Sequence, residues 1–302
     1  MKKTKIVYYI FPFHLDQLER SIYQLKRASV YSNTKDYLCL DVVFDMSDFN
    51  FRWDECEIPK QFFIDKFNYI EKYCDFCKEV NFEINNDMLG SGEQQRRVYA
   101  DNNGEYNVIL LDPDIHFPVE IFHVLDGVVP KIEKETSTYV LTPQIGKFWD
   151  DTWNVLSNEE YLNSPVKFDE IDVFELSQKT DVDNISLIKN YNHKFAGGWF
   201  TFYSAELTKY MKMPDSIGIF HHVDLYQQEK FKLLNHFKKC DIPQYIIKNC
   251  LVQEDRKYYH NFDFWQKYIH GPPQVPHNSD EVLQNVIKEL NKIKDNKGNL
   301  DG

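Results

Sequence analysis

Residues 107–118 read Asn-Val-Ile-Leu-Leu-Asp-Pro-Asp-Ile-His-Phe-Pro, and this stretch constrains the fold more tightly than any other part of the chain. Val108, Ile109, Leu110 and Leu111 form an unbroken apolar run. Such a run predicts a strand covered on both faces, as in the interior of a parallel sheet flanked by helices. It stops at Asp112-Pro113-Asp114, where the proline has no N–H to continue a ladder. Two carboxylates one residue apart, at the carboxyl end of a buried strand, lie where open α/β sheets hold their ligands. Their mutual repulsion is relieved by a hard divalent cation, Mg2+ or Mn2+, which takes oxygen ligands and bridges carboxylates to substrate phosphates. An isolated D-x-D reads first as a solvated turn, so its surroundings have to decide.

Those surroundings alternate between strand and helix patterns. Lys5–Ile10 reads as a first strand with Phe11-Pro12-Phe13 as the loop at its end. Asp16–Ala28 has helical spacing, and Tyr37–Phe44 is a second apolar strand that ends in Asp45, Ser47 and Asp48. This is a β–α–β opening, whose crossover is right-handed. Residues 49–60 read as a loop, Gln61–Lys78 as a helix and Val80–Ile84 as a third short strand. A turn at Leu89-Gly90-Ser91-Gly92 leads into a helix over Glu93–Asn102. After the strand ending at Leu111 come a helix over Pro118–Ile132 and a buried strand over Thr138–Thr142. Lys147–Asn163 is expected to be partly helical, and Ser164–Asn190 irregular or an insertion. Phe195–Tyr203 is a Gly-Gly turn running into an aromatic strand, followed by a short helix over Ala205–Met211 and a loop over Pro214–Phe220. Next are a helix over His222–Lys239, a last core strand over Tyr245–Val252 and an aromatic, His-containing segment over Gln253–Pro276. A terminal amphipathic helix over Asp280–Ile293 ends in a frayed Lys294–Gly302. The pattern predicts an α/β fold with a largely parallel, Rossmann-like central sheet flanked by helices and an elaborated C-terminal half. With no linker in sight, the 302 residues read as one domain.

Composition narrows the classes. A net charge of −12 argues against a broad electrostatic grip on nucleic acid. No stretch reaches the about 20 apolar residues of a membrane span, and the basic-then-apolar N-terminus lacks a cleavage site. A cytoplasmic location is the expectation. Of the six cysteines, Cys74 and Cys77 form one C-x-x-C without the second pair or histidines that a structural zinc site needs, so they read as reduced thiols near a helix end.

Phosphate-binding fingerprints of the Walker and dinucleotide types are absent, which removes the commonest phosphate grips and makes a metal-mediated one more attractive. The run Gly104–Asp114 (GEYNVILLDPD), the β–α–β opening ending in acids, the Arg-bearing helix, Ala196–Phe202 (AGGWFTF) and the later acid in Phe220–Asp224 (FHHVD) together resemble the nucleotide-sugar glycosyltransferases of the A-type fold, especially the family 2 group. The resemblance covers roughly residues 4–260. One extra residue separates the Gly-Glu from the acids, the usual Arg-Asn pair is Arg-Arg here, and the usual adjacent acids are Val223-Asp224.

The resemblance implies a nucleotide-sugar-binding half (1–117), an acceptor and catalytic half (118–260) and a C-terminal tail and helix (261–302). It implies that Asp112 contacts the ribose side and Asp114 the divalent ion, with Asp112 also near that ion. Phe11, Asp45, Arg96, Arg97, Gly197, Gly198 and Trp199 are the remaining nucleotide-sugar-binding candidates. Asp224 would take the proton of the acceptor hydroxyl, and His260, with His270 as the alternative, would add a metal ligand. Each has a plainer reading: Asp45 as a strand-end turn residue, Asp224 as a helix-start acid, the glycines as a tight turn, His260 as a structural ring. The implied reaction moves a sugar from a nucleoside diphosphate, UDP first, to an acceptor hydroxyl with inversion, using Mn2+ or Mg2+. The acceptor, whether glycan, protein, small molecule or modified nucleic-acid base, is not written in the sequence. A catalytically silent nucleotide-sugar or carbohydrate binder and a nucleotidyltransferase are the competing classes.

Overall fold

In a computed structural model of the chain, the apolar run is strand β4 (Asn107–Leu111), and all five of its residues are buried. The structure describes residues 2–48, 51–86, 102–145, 180–191, 199–217, 223–254 and 279–300. Side chains on β4 alternate between two cores, as the period of a strand requires. Ile109 and Leu111 join Ile6, Tyr8 and Ile10 of β1 (Thr4–Ile10) and the helices on one face. Val108 and Leu110 join Val7 on the other.

The first half is a parallel sheet. β1 pairs in parallel with β2 (Leu38–Asp45) and with β4, and β2 pairs in parallel with β3 (Glu79–Asn85). Helix α1 (Leu15–Ser32) crosses over between β1 and β2 and buries Leu18, Ile22, Leu25 and Ala28, one stripe at helical period. It ends at Asn33 in the left-handed region, whose N–H reaches Ser29 O. Helix α2 (Lys60–Glu71) buries Phe63, Phe67 and Ile70 on the same face. It is shorter than expected. Beyond Glu71 the backbone closes turns from Cys74 N to Glu71 O and from Cys77 N to Cys74 O, both 3.0 Å, which carry the two thiols into the core.

The second half reverses direction. The DPD turn leads to a two-residue strand β5 (Ile115–His116), then helix α3 (Ile121–Ile132) and strand β6 (Val140–Ile145). Helix α3 starts three residues later than Pro118, because Pro118 and Ile121 close a turn (Ile121 N to Pro118 O, 3.1 Å). The Ser164–Asn190 region is not wholly irregular. Ser186–Asn190 forms β7, which pairs antiparallel with β9 (Gln244–Glu254). With Leu187 and Ile188 adjacent rather than alternating, no strand period shows in its sequence. Strand β8 (Phe200–Tyr203) inserts antiparallel between β4 and β6, and β6 pairs in parallel with β9. The spatial order is β3-β2-β1-β4-β8-β6-β9-β5, with β7 also on β9. Of the eight pairings among the described residues four are parallel, so the Rossmann-like part is the first half and the elaborated half is mixed.

Helices α4 (Ala205–Thr208) and α5 (Val223–His236) cover the second face through Leu207, Phe231 and Leu234. Helix α6 (Ser279–Asp295) packs Val286 and Ile293 against Val223 and Tyr226. The terminus expected to fray is anchored as far as Leu300, which packs beside both of these apolar clusters. Gly298 N donates to Ile293 O at 2.7 Å with φ +80°, a left-handed cap that suits glycine. Among the described residues no helix is long and apolar enough to cross a membrane. The expected helices over Glu93–Asn102 and Lys147–Asn163 lie outside the described residues, save Asn102.

Candidate active site

Parallel pairing brings the carboxyl ends of β1, β2 and β4 to one edge of the sheet. Phe11 follows β1 there, Asp45 ends β2 and Asp112 follows β4. Tyr9 joins the first two. Its hydroxyl donates to Asp45 Oδ2 at 2.5 Å, and its ring meets Phe11 edge-on at 5.2 Å. Asp45 is fully buried, and its Oδ1 accepts the Ser47 N–H at 2.8 Å, the Asx geometry of a strand-end turn. Burial and the Asp45 carboxylate push the Tyr9 phenol well above its ordinary value, so it stays a donor. Asp45 therefore shapes the edge through Tyr9 and Ser47.

An aromatic shelf lies beside it. Phe11 stacks on Phe13 at 5.3 Å, Phe51 lies 6.1 Å from Phe11, and Trp53 lies 5.5 Å from Phe51 while its Nε1 donates to Met46 O at 3.2 Å. Phe11 is half-buried. His14 fixes the loop by accepting the Phe11 N–H on Nδ1 at 3.1 Å. Burial lowers the His14 pKa to about 3, so the ring is neutral and carries its proton on Nε2.

The DPD segment is a turn, closed by Ile115 N donating to Asp112 O at 3.2 Å. Asp112 is exposed, Pro113 buried and Asp114 half-buried. Two neighbouring strands converge on the turn. Antiparallel register pairs Leu111 with Phe200, the residues that come just before Asp112 and just after Trp199. Trp199 packs partly buried against the main core. On the other side Ile115 pairs with Glu254, the last residue of β9. β9 thus ends next to the residue that follows Asp114.

Asp224 is the second residue of α5 and half-buried. Near the far end of that helix, the Asn235 side chain brackets Ile242 just before β9, accepting its N–H at 2.7 Å and donating to its C=O at 2.9 Å. That end lies at the amino edge of the parallel strands. The Asp224 charge is also felt by the buried Tyr203 phenol, whose pKa is raised first by burial and then by this carboxylate.

The structure therefore brings Phe11, Asp45, Asp112, Asp114 and Trp199 to one edge, while Asp224, at the start of α5, acts on Tyr203, whose strand partner Val108 lies toward the other end of β4. Arg96, Arg97, Gly197, Gly198, His260 and His270 lie outside the described residues. Two hard carboxylates, one exposed and one half-buried, suit a small divalent cation that completes its shell with diphosphate oxygens and water. Among the described residues no group of three His, Cys, Asp or Glu side chains could hold a metal by itself. The C-x-x-C is apart from this edge. Both thiols are buried, and burial pushes Cys74 up to about 12 and Cys77 higher still, which fits reduced structural cysteines.

Tyr9, His14 and the Phe51–Trp53 pair were not identifiable as site residues in advance. Within a strand a tyrosine reads as core, and an aromatic loop has no period to place it. A cleft of about 540 Å3, lined by Arg20, Tyr23, Arg27, Tyr73 and His116, opens on the α1–α2 side. His116, two residues after Asp114, is one of its lining residues, and its Nδ1 lies 2.7 Å from Gln24 Nε2.

No protein-family model matches this sequence, and no curated protein matches it. Solved structures do. A crystal structure of GalNAc-T7 with UDP, GalNAc and Mn2+ superposes with a TM-score of 0.52 at 13% identity, over 98% of this chain and 50% of that one. S. aureus TarS 1-349 superposes at 0.45 and 11% identity, over 97% of this chain and 72% of that one. This chain spans half the length of the GalNAc-T7 chain. Its fold is that of the A-type nucleotide-sugar glycosyltransferases.

Proposed function

We propose that this protein is a metal-dependent glycosyltransferase that moves a sugar from a nucleoside diphosphate, UDP first, to an acceptor hydroxyl. The observation that carries the proposal is the DPD turn on an A-type fold, with Phe200 of β8 and Glu254 of β9 paired to the residues just before and just after it. Asp114 would hold the cation and Asp112 the ribose side, while the shelf at Phe11 offers a face for the base. The cation, Mn2+ or Mg2+, supplies charge stabilisation to the departing diphosphate. UDP and Mn2+ come first because the GalNAc-T7 structure contains both.

Asp224 is assigned the acceptor side. The acceptor oxygen bonds to the anomeric carbon as its proton passes to the Asp224 carboxylate. The bond from that carbon to the diphosphate oxygen breaks, and its electron pair leaves with the diphosphate. A carboxylate can serve as base when the transition state is loose and the hydroxyl acidifies late. Attack opposite the leaving group inverts the anomeric centre.

Thermal stabilisation by nucleoside diphosphates, with and without Mn2+, tests the donor side, and release of UDP from UDP-sugars tests turnover. Metal-dependent stabilisation followed by UDP release supports the proposal. Stabilisation without turnover on any donor identifies a silent binder, pyrophosphate release identifies a nucleotidyltransferase, and indifference to every nucleotide overturns the donor site.

A further inference from the structure

Lys230 lies on the inner side of α5 and is 1% exposed. Its Nζ donates to Lys212 O at 2.8 Å and stands 5.5 Å from the centre of the Tyr226 ring. An ammonium has three donors, and these two contacts use two of them at most. Among the described residues no carboxylate pairs with it. A buried cation without a counter-charge is costly, and it sheds its proton or acquires a partner. Burial, together with the charge of Lys212, lowers the Lys230 pKa to about 7.

Lys230 is among the residues that line a cleft of about 190 Å3 between α5, the 212–214 segment and α6. The cleft has room for one small ion with part of its water shell. Lys212 and Lys292 also line it, as do the side chains of Asn296 and Asn299. Glu289 is the acid among its described lining residues, and its Oε1 is already engaged by Ser216 Oγ at 3.0 Å and Lys292 Nζ at 2.8 Å. Three lysines thus face a single, already paired carboxylate. Tyr226, the other titratable group of the lining, is held neutral, since burial and then Glu289 raise its pKa.

We propose that this cleft binds a tetrahedral oxyanion of the phosphate or sulfate class, held by Lys230 from within and by Lys212, Lys292 and the two asparagine amides around it. The oxyanion supplies both things that the lysine lacks: acceptors for its spare N–H groups and a counter-charge. Its occupant would join α5, the 212–214 segment and α6. None of its lining residues is among those assigned to glycosyl transfer.

Sulfate is the probe of choice because it does not titrate near neutrality. Calorimetry at pH 8, at constant ionic strength with chloride as the balancing anion and in buffers of different ionisation enthalpy, reads affinity and proton uptake together. The expected result is saturable one-to-one binding with uptake of close to one proton, because the bound anion raises the Lys230 pKa. Lys230→Met should abolish the uptake and most of the affinity. Lys212→Gln and Lys292→Gln should each weaken binding about tenfold while preserving the uptake. Sulfate should also raise the melting temperature of the wild-type protein above its chloride control. Absence of saturable binding overturns the proposal. So does binding that is equal in wild type and both rim variants, which would place sulfate elsewhere. If Lys230→Met does not fold, the rim variants and the wild-type proton uptake decide the matter by themselves.

Discussion

The Tyr9 hydroxyl donates to Asp45 Oδ2 at 2.5 Å and so ties the ends of β1 and β2 together at the edge where the acids of β4 emerge. Asp45 has no exposed surface, so this donor takes the place of water. Tyr9→Phe leaves the buried carboxylate with one donor fewer. The expected cost is about 1–3 kcal/mol of stability, the penalty of an unmet buried polar group, read from urea unfolding. Wild-type stability in the variant would show that the remaining partners of the carboxylate suffice.

Asp112 and Asp114 share one turn but differ in exposure, and their variants should differ as well. Asp114→Asn is expected to abolish the Mn2+-dependent part of UDP stabilisation and to lower turnover by about a hundredfold or more, the scale of a lost transition-state electrostatic contact. Asp112→Asn should weaken UDP in the presence and absence of metal. Identical behaviour of the two variants in titrations of UDP against Mn2+ would end this division of roles.

Removing the proposed base separates chemistry from binding. Asp224→Asn keeps the size and helix-start position of the side chain, so the fold should persist. Turnover is expected to fall by about two to four orders of magnitude, as for a missing general base, with UDP and Mn2+ affinity unchanged. Retained turnover would move the base to another residue.

His14 should make the site loop sensitive to acid. Its folded pKa is lowered to about 3 from an ordinary 6.5, so between those values the unfolded chain binds more protons than the folded one. Stability from this group is therefore complete above about pH 6.5 and declines as the pH falls toward 3. His14→Gln, whose side-chain oxygen can still accept a hydrogen bond, should flatten the fall in melting temperature between pH 6.5 and 4. An unchanged slope would assign the acid sensitivity to other groups.

Much of the first half was legible because each of its elements has a local pattern. Leu18, Ile22, Leu25 and Ala28 fall on one side of a helix whatever it packs against. The run 108–111 is apolar on both faces because both faces are covered, and Pro113 ends its pairing by lacking an N–H. The acids of the turn were placed by these local rules. In the second half they failed at particular residues. The direction of Phe200–Tyr203 is not encoded in four consecutive buried residues, since such a run fits a parallel or an antiparallel neighbour equally. Leu187 and Ile188 show no strand period, and β7 exists because β9 offers it an edge.

The amino-acid sequence by itself determined the β–α–β opening, the buried strand and a turn that presents two carboxylates, because these depend on periodicity, proline chemistry and burial along short segments. Tertiary structure alone decided that Phe200, next to Trp199, pairs with Leu111, next to Asp112, that Tyr9 seals Asp45, and that Lys230 is buried against Lys212 beside a cleft. The physical reason is common to all three. Each contact joins residues distant in the chain, and its partner is selected by how whole elements pack, which no local spacing records.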